Sequence, residues 1–485
     1  MQVITEKDLS TWLSLPLSNN ATFSIQHIAY DTRLIDTDDA PSTLFFAFKT
    51  AHNDGSNYIF EAVSKGVRIF YLPITDENRG EASGIFTENY SLISTENGGN
   101  FTAETVLITK IKANLSAITA IQKIAIGYRN QFQDLKTIAI TGSNGKTIVK
   151  EWLAQAIGGD AEIVRSPKSF NSQLGVPMSI FEIEKQHNLA IFEAGISESG
   201  EMSALERIIQ PKIGIFTNIL TAHDDGFASK QAKADEKSTL FTHTDVIIYN
   251  KDNIYCENAV EKLKIPLFSW SRHDDNVNLF ILNEVQNGIF TKITAIYKQE
   301  EKYIELPFSD AASIENAITV WATMLYLGYG QSIIRERLSR LEPLAARLEI
   351  KSALNNCILI NDSYSLDLDS LRIALSFMER QDVYNKKTLI TSVVTGAKRR
   401  GEKGENLEAI ADDWFQKVGR LLKGKNIDKV VIVGRGGEGL KLFLSPETIF
   451  YAFETTDDLL HSLSGLNSGL NSGLNLENES ILLKG

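Results

Sequence analysis

The stretch TIAITGSNGKTIVKEW, residues 137–152, places a lysine and a threonine directly behind two closely spaced glycines. Glycines let backbone N–H groups approach an anion, a lysine adds a mobile positive charge, and a threonine hydroxyl can ligate magnesium. The usual pattern G-x-x-x-x-G-K-[ST] is not met, because Ile140 stands where its first glycine belongs. Gly142, Ser143, Asn144, Gly145, Lys146 and Thr147 instead form a loop two residues shorter. It reads as a phosphate loop, the alternative being a strand-to-helix turn that happens to contain Gly-Lys-Thr.

Four further residues have types suited to the same chemistry. Glu193 ends the apolar run of AIFEAGIS, where a carboxylate beside a phosphate loop can hold Mg²⁺; it is equally the place of an ordinary strand-end acid. Asn171, in SFNSQLGVP, is a neutral donor suited to phosphate oxygens. His223 lies five residues beyond Asn218 in KIGIFTNILTAHDDGF, with a structural role as the plain alternative. Lys237, in AKADEKSTLF, falls on an expected helix, where the default for lysine is solvated charge.

The elements that must position these residues are visible around them. Residues 137–140 form a β-branched, apolar run that reads as a buried strand. Beyond the loop, Ile148, Val149, Trp152, Leu153, Ala156 and Ile157 recur at helical spacing. Strand, glycine turn and helix place free N–H groups at the helix N-terminus, aimed at an anion. AIFEAGI, KIGIFTNI and DVIIYN continue an alternation that predicts a parallel sheet with crossover helices.

A chain of 485 residues exceeds one core and suggests about three domains. We expect an α/β protein with a small α/β domain over 1–110, a central parallel-sheet domain over 111–343 and a Rossmann-like α/β domain over 344–485. Residues 111–131 are helical in period and lead into the second domain. In the third, NCILIND, KTLITSVV, KVVIVG, ETIFYAF and ESILLKG alternate with helical segments. GRGGEG at 434–439 is a weak echo of a dinucleotide fingerprint or a tight strand-to-helix turn, and the repeat SGLNSGLNSGLN at 464–475 reads as a surface insertion. A net charge of −12 and a pI near 5.3 argue against a nucleic-acid partner. No apolar run approaches the roughly 18 residues of a membrane span, and MQVITEKDLS lacks the features of a signal peptide. Cys256 and Cys357 are too few and too far apart for a disulfide scaffold or zinc site, so the chain reads as cytoplasmic.

TGSNGKT, FNSQLGVPMS, FEAG, TNILTAHDDGF and EKSTLF, in that order, together resemble the Mur ligases of peptidoglycan synthesis. LAARLEI followed by ILINDSYSLD is similar to that family's arginine hinge and acidic segment, and the short phosphate loop is the family's own form. YDTR at 30–33, with LFFAFK and NDGSNY, resembles the uridine-site domain of its two later enzymes. The D-x-P-R signature usual in the enzyme adding the third residue is absent, so the likeness favours the branch joining D-alanyl-D-alanine to UDP-N-acetylmuramoyl-tripeptide. Folate-polyglutamating relatives are disfavoured because they begin near their phosphate loop, without the long lead present here.

The resemblance implies a UDP-binding first domain, a central ATPase domain and a ligase domain at the C-terminus. It implies ATP phosphates on Gly142–Thr147 with Lys146, and one Mg²⁺ on Thr147 and Glu193. A second Mg²⁺ would take His223 and Lys237, the latter as a carbamylated lysine. Asn171 would lie near the transferred phosphoryl group and Asn316 near the adenine. Arg347 and Asp362 would join on closure, while Asp31, Thr32 and Arg33 would face the UDP. Ala312-Ser313 replaces the family's usual His-Asn, DSYSLD its DSYNAN-like run, and TGAKRRGEKGE at 395–405 its Gly-Asp-Met segment. The chain stops at Gly485, where relatives continue, so an alanine racemase fused beyond is also an expectation. The competing readings are a Mur-type ligase for a different amino acid and a non-catalytic ATP-binding relative.

Overall fold

The computed structural model describes residues 1–16, 23–48, 54–73, 84–95, 101–113, 115–220, 226–288, 290–344, 348–363, 366–381, 383–393, 407–463 and 474–485. His223, Arg347, residues 394–406 and most of the S-G-L-N repeat lie outside them.

The N-terminal sheet runs in the order His27–Ala29, Thr43–Phe46, Ile69–Pro73, Phe101–Ala113, Gly84–Thr95. Its first four strands are parallel and the last is antiparallel. Strand alternation sends Leu44 and Phe46 to one face and Phe45 to the other, each into a separate apolar cluster. The first of these clusters is shared with Ile121 and Tyr128 of the helix Ala117–Arg129. The helix expected over 111–131 thus begins later. Ile111 still pairs with Tyr71 in the sheet, and the Ser116 hydroxyl caps the helix by accepting from the Thr119 N–H.

The central sheet has nine strands, ordered Ile163–Arg165, Leu189–Glu193, Lys136–Thr141, Ile213–Phe216, Val246–Asn250, Leu267–Ser271, Leu279–Asn287, Phe290–Tyr297, Glu300–Leu306. The first seven are parallel, and the last two form an antiparallel extension. Both faces of the parallel part are buried, which is why its strands read as unbroken apolar runs. Ile138, Ile140, Ile191 and Ile215 pack with Trp152 and Trp321, while Ala139, Phe192 and Phe216 join the cluster on the opposite face. From Lys136–Thr141 the chain departs toward one sheet edge, and from Ile213–Phe216 toward the other. Such a reversal opens a crevice at the carboxyl ends of the two strands, the place where open α/β sheets bind ligands.

The third sheet orders Glu349–Ala353, Cys357–Asn361, Glu479–Lys484, Lys386–Ser392, Lys429–Val433, Ile449–Phe453, parallel but for its first pair. This is the doubly wound pattern expected of the C-terminal part. GRGGEG is a tight turn with Gly434 and Gly436 at φ 128° and 78°, leading into the 3₁₀ segment Gly437–Phe443 rather than a long helix. Among the described residues no helix is long and apolar enough to cross a membrane.

Candidate active site

The loop 142–145 joins the strand Lys136–Thr141 to the helix Lys146–Ile157 at the crevice. Its shape is dictated by close approach. Gly142 sits at φ 142°, where a Cβ would fall 2.0 Å from Thr217 Oγ1. Gly145 sits at φ 85°, where a Cβ would fall 2.2 Å from Asn316 Oδ1. The segment after Ile213–Phe216 locks the loop in place. Asn218 accepts the Ser143 N–H at its carbonyl (2.8 Å) and the Asn144 N–H at its Oδ1 (3.0 Å), and Thr217 Oγ1 donates to the Asn144 carbonyl at 2.7 Å. Asn144 Nδ2 is buried without a hydrogen-bond acceptor among the described residues. The Lys146 ammonium curls over the loop, donating to the Gly142 and Ser143 carbonyls at 2.9 Å each. The helix N-terminus and this charge together form an anion seat.

Beside it stands a corner of hard oxygens. Thr147 Oγ1 lies 3.1 Å from Glu193 Oε2 and 3.0 Å from Ser169 Oγ. Asn171 Nδ2 reaches the same Glu193 oxygen at 3.4 Å. Glu193 is fully buried, and its Oε1 receives no hydrogen bond although Lys150 Nζ is 3.0 Å away as an ion pair. A buried carboxylate whose Oε2 faces a threonine hydroxyl beside an anion seat fits Mg²⁺. That ion takes few protein ligands and completes its shell with phosphate and water. Among the described residues no three His, Cys, Asp or Glu side chains cluster as a metal cage.

Lys237 lies on the helix Lys230–Ser238, capped by Ser229. Its solvated-surface reading is overturned, since the helix turns Lys233 and Lys237 into the interior, at 0 % and 2 % exposure. Asp235 faces outward to Lys262 at 2.7 Å, and Glu236 accepts from the Met202 N–H at 3.1 Å. Burial pushes the Lys237 ammonium well below the usual lysine range, and the charges of Lys146 and Lys233 push it further, against Glu201 and Glu236. Lys233 donates to the Leu220 carbonyl. Lys237 has no ion pair among the described residues.

A cavity of about 440 Å³ opens from the loop, a size suited to a small ligand. Asn144, Gly145, Asn218, Asn250 and Asn316 line it from the central domain. Leu348, Asp362, Ser370 and Ile373 line it from the third. Asp362 is anchored by Lys484 Nζ at 2.5 Å, and its Oδ1 accepts the Leu348 N–H at 3.2 Å. Glu315, hydrogen-bonded to Asn218 and Asn250, is raised by burial, which the charge of Arg272 opposes. Arg272 and His273 complete a wall that the sequence did not single out.

The loop residues, Glu193, Asn171, Asn316 and Asp362 therefore gather around one crevice, with Lys237 near enough to feel Lys146. Asp31, Thr32 and Arg33 do not line the cavity. They form a clasp of their own in the first domain, in which Arg33 Nη2 lies 2.6 Å from Asp31 Oδ2 and holds that carboxyl at about 2. Thr32 is buried, and its carbonyl accepts from Lys65 Nζ at 2.7 Å. Sequence reasoning missed Lys150, Ser169 and the locking role of Asn218. The sole signal for Lys150 was its place one turn after Thr147 on the expected helix.

Residues 140–324 match the family model of the Mur ligase middle domain. The UDP-N-acetylmuramoyl-tripeptide–D-alanyl-D-alanine ligase of Borreliella burgdorferi is 27 % identical, over 84 % of this chain and 82 % of its own. Among solved structures, MurF from Acinetobacter baumannii superposes with a TM-score of 0.74 at 21 % identity, over 100 % of this chain and 96 % of its own. The MurF ligase of Thermotoga maritima in complex with ADP gives 0.67 at 16 % identity, over 94 % and 93 %.

Proposed function

We infer that the chain is a Mur ligase and joins D-alanyl-D-alanine to UDP-N-acetylmuramoyl-tripeptide with cleavage of ATP to ADP and phosphate. The observation that carries this reading is the short phosphate loop at the switch point, with Thr147 against Glu193 and a cavity completed by Asp362 of another domain. Gly142, Ser143, Asn144, Gly145 and Lys146 hold the phosphates, Asn316 lies by the adenine, and Arg347 and Asp362 join on closure. Asp31, Thr32 and Arg33 face the UDP. Magnesium held at Thr147 and Glu193 would offset charge on the phosphates. His223 and a carbamate on Lys237 would hold a second ion, a reading supported by the burial and depressed basicity of Lys237, since only the free amine adds CO₂.

In the reaction, a tripeptide carboxylate oxygen attacks the γ-phosphorus in line, the bond to the β–γ bridging oxygen breaks, and ADP leaves. Lys146 and the loop N–H groups stabilise the charge on the phosphate oxygens. Asn171 orients the transferred group. The dipeptide amine then attacks the acyl carbon, phosphate departs, and the nitrogen loses a proton. An acyl phosphate must be kept from water, which suits a site shared between two domains in a cytoplasmic enzyme.

ADP release in the presence of UDP-N-acetylmuramoyl-tripeptide, scored against D-alanyl-D-alanine and a panel of single amino acids, tests the reading. Turnover that requires the dipeptide supports it. A preference for a single amino acid assigns the chain to another Mur reaction, and silence with every acceptor points to a non-catalytic relative.

A further inference from the structure

Lys150 is a fully enclosed cation beside the site, and nothing in the reaction just described uses it. It is fully buried, one turn beyond Thr147 on the same helix. Its Nζ donates to the Ser166 carbonyl at 2.7 Å and the Lys168 carbonyl at 2.5 Å, and lies 3.0 Å from Glu193 Oε1 and 3.1 Å from Glu151 Oε1. Glu151 in turn meets Arg165 at 2.9 Å. Arg165, Glu151, Lys150 and Glu193 thus alternate in sign, and their charges cancel.

We propose that Lys150 is a positioning residue that ties together the three segments supplying the metal corner and aims the Glu193 carboxylate at it. The geometry has three parts. The helix bearing Thr147 supplies the ammonium. Two carbonyls fix that ammonium to the loop that carries Ser169 and Asn171, whose side chains reach Thr147 and Glu193. The third direction holds Glu193 by Oε1, leaving Oε2 toward Thr147 Oγ1. An unpaired carboxylate with no exposure would be costly, so the ion pair also lets Glu193 stay in place before any cation arrives. Because Glu151 and two carbonyls share the Lys150 charge, Glu193 keeps enough negative character to attract a divalent ion. Partners of this outer kind orient metal ligands, and their loss typically weakens metal affinity about 10–100-fold.

This inference rests on the proposed metal role of Thr147 and Glu193, and its test separates the two. Mn²⁺ serves as the probe, its binding to the ADP-saturated full-length protein followed by electron paramagnetic resonance. Lys150→Met is expected to weaken Mn²⁺ binding about 10–100-fold, with ADP binding in the absence of metal unchanged. Glu193→Gln should also weaken Mn²⁺, and adding Lys150→Met to it should change nothing more, because the lysine acts through the carboxylate. If the Met variant does not fold, Lys150→Gln, which keeps N–H donors for the two carbonyls, is expected to show the same loss. Wild-type Mn²⁺ affinity in the Lys150 variants alongside a weakened Glu193→Gln overturns the positioning role alone. Additive losses in the double variant overturn it too. Unchanged Mn²⁺ binding in Glu193→Gln overturns the metal reading and the inference with it.

Discussion

Asn316 Oδ1 occupies the space into which a side chain on Gly145 would project, 2.2 Å from an ideal Cβ. The last glycine of the phosphate loop and an asparagine on the helix Ala311–Tyr326, far apart in sequence, thus define each other's positions. Gly145 is also held at φ 85°, a conformation that L side chains rarely adopt. Gly145→Ala should therefore act twice, shifting Asn316 and straining the backbone at a cost of about 1–3 kcal/mol. We expect a lower melting temperature and a larger fall in ATP affinity than the stability loss explains, measured by calorimetry on the folded fraction. Retained ATP affinity would show that the contact between loop and helix has no part in nucleotide binding.

Lys146 tests the loop by charge. Its ammonium donates to carbonyls of its own loop and its side chain is only half-buried, so its removal opens no core cavity. Lys146→Ala should lower turnover about 10²–10³-fold, as for loss of one oriented donor to developing charge, while circular dichroism and melting stay near wild type. Turnover close to wild type would sink the phosphate-loop assignment.

The first domain makes a separable prediction. Arg33 is paired with Asp31 through Nε and Nη2 yet has 86 % of its side chain exposed, so a ligand can reach its guanidinium from the solvent side. Arg33→Ala should raise the KM for the UDP-linked substrate and leave the KM for ATP nearly unchanged. With its folded pKa at about 2, below the unfolded value, Asp31 contributes stability that is present above about pH 4 and lost as pH falls toward 2. Because Arg33 is so exposed, solvent screens much of this pairing, and Asp31→Asn should have only a small effect on melting at neutral pH. A rise confined to the KM for ATP would contradict the placement of the UDP end on this clasp.

Much of this site was legible because its parts are local. The phosphate loop needs glycines next to Lys146 and Thr147, and Glu193 needs only an apolar strand ahead of it. The corner proposed to hold the metal was less so. Ser169 and Lys150 matter through contacts that only the sheet order creates, where Leu189–Glu193 lies between Ile163–Arg165 and Lys136–Thr141. Asn316 was placed by resemblance, since nothing in SIENAIT announces a neighbour 171 positions away in Gly145. The late start of the helix at Ala117 was hidden because a β-strand ending in alternating apolar residues runs straight into a helical period. For Lys237, residue type alone pointed to a solvated surface, and only the packing of Lys230–Ser238 turns it inward.

That inward turn gives Lys237 a signature in pH. Its folded-state pKa lies well below the unfolded lysine value, chiefly through burial. At any pH between the two values the unfolded chain binds the proton and the folded chain does not, so stability rises with pH across that window. The penalty is largest below the folded pKa and vanishes as pH approaches about 10.4, the unfolded value. In CO₂-free buffer Lys237→Met should therefore stabilise the protein, with a gain that shrinks steadily as pH is raised. Activity should move the opposite way. Without the amine there is no carbamate, and the variant should lose nearly all ligase turnover, recovering part of it when acetate supplies a replacement carboxylate. Wild-type activity, in turn, should fall on removal of CO₂ and return with bicarbonate. Full activity of Lys237→Met in CO₂-free buffer would end the carbamate assignment, and a variant that is stabilised, inactive and unresponsive to acetate would leave Lys237 acting in the site as the free amine.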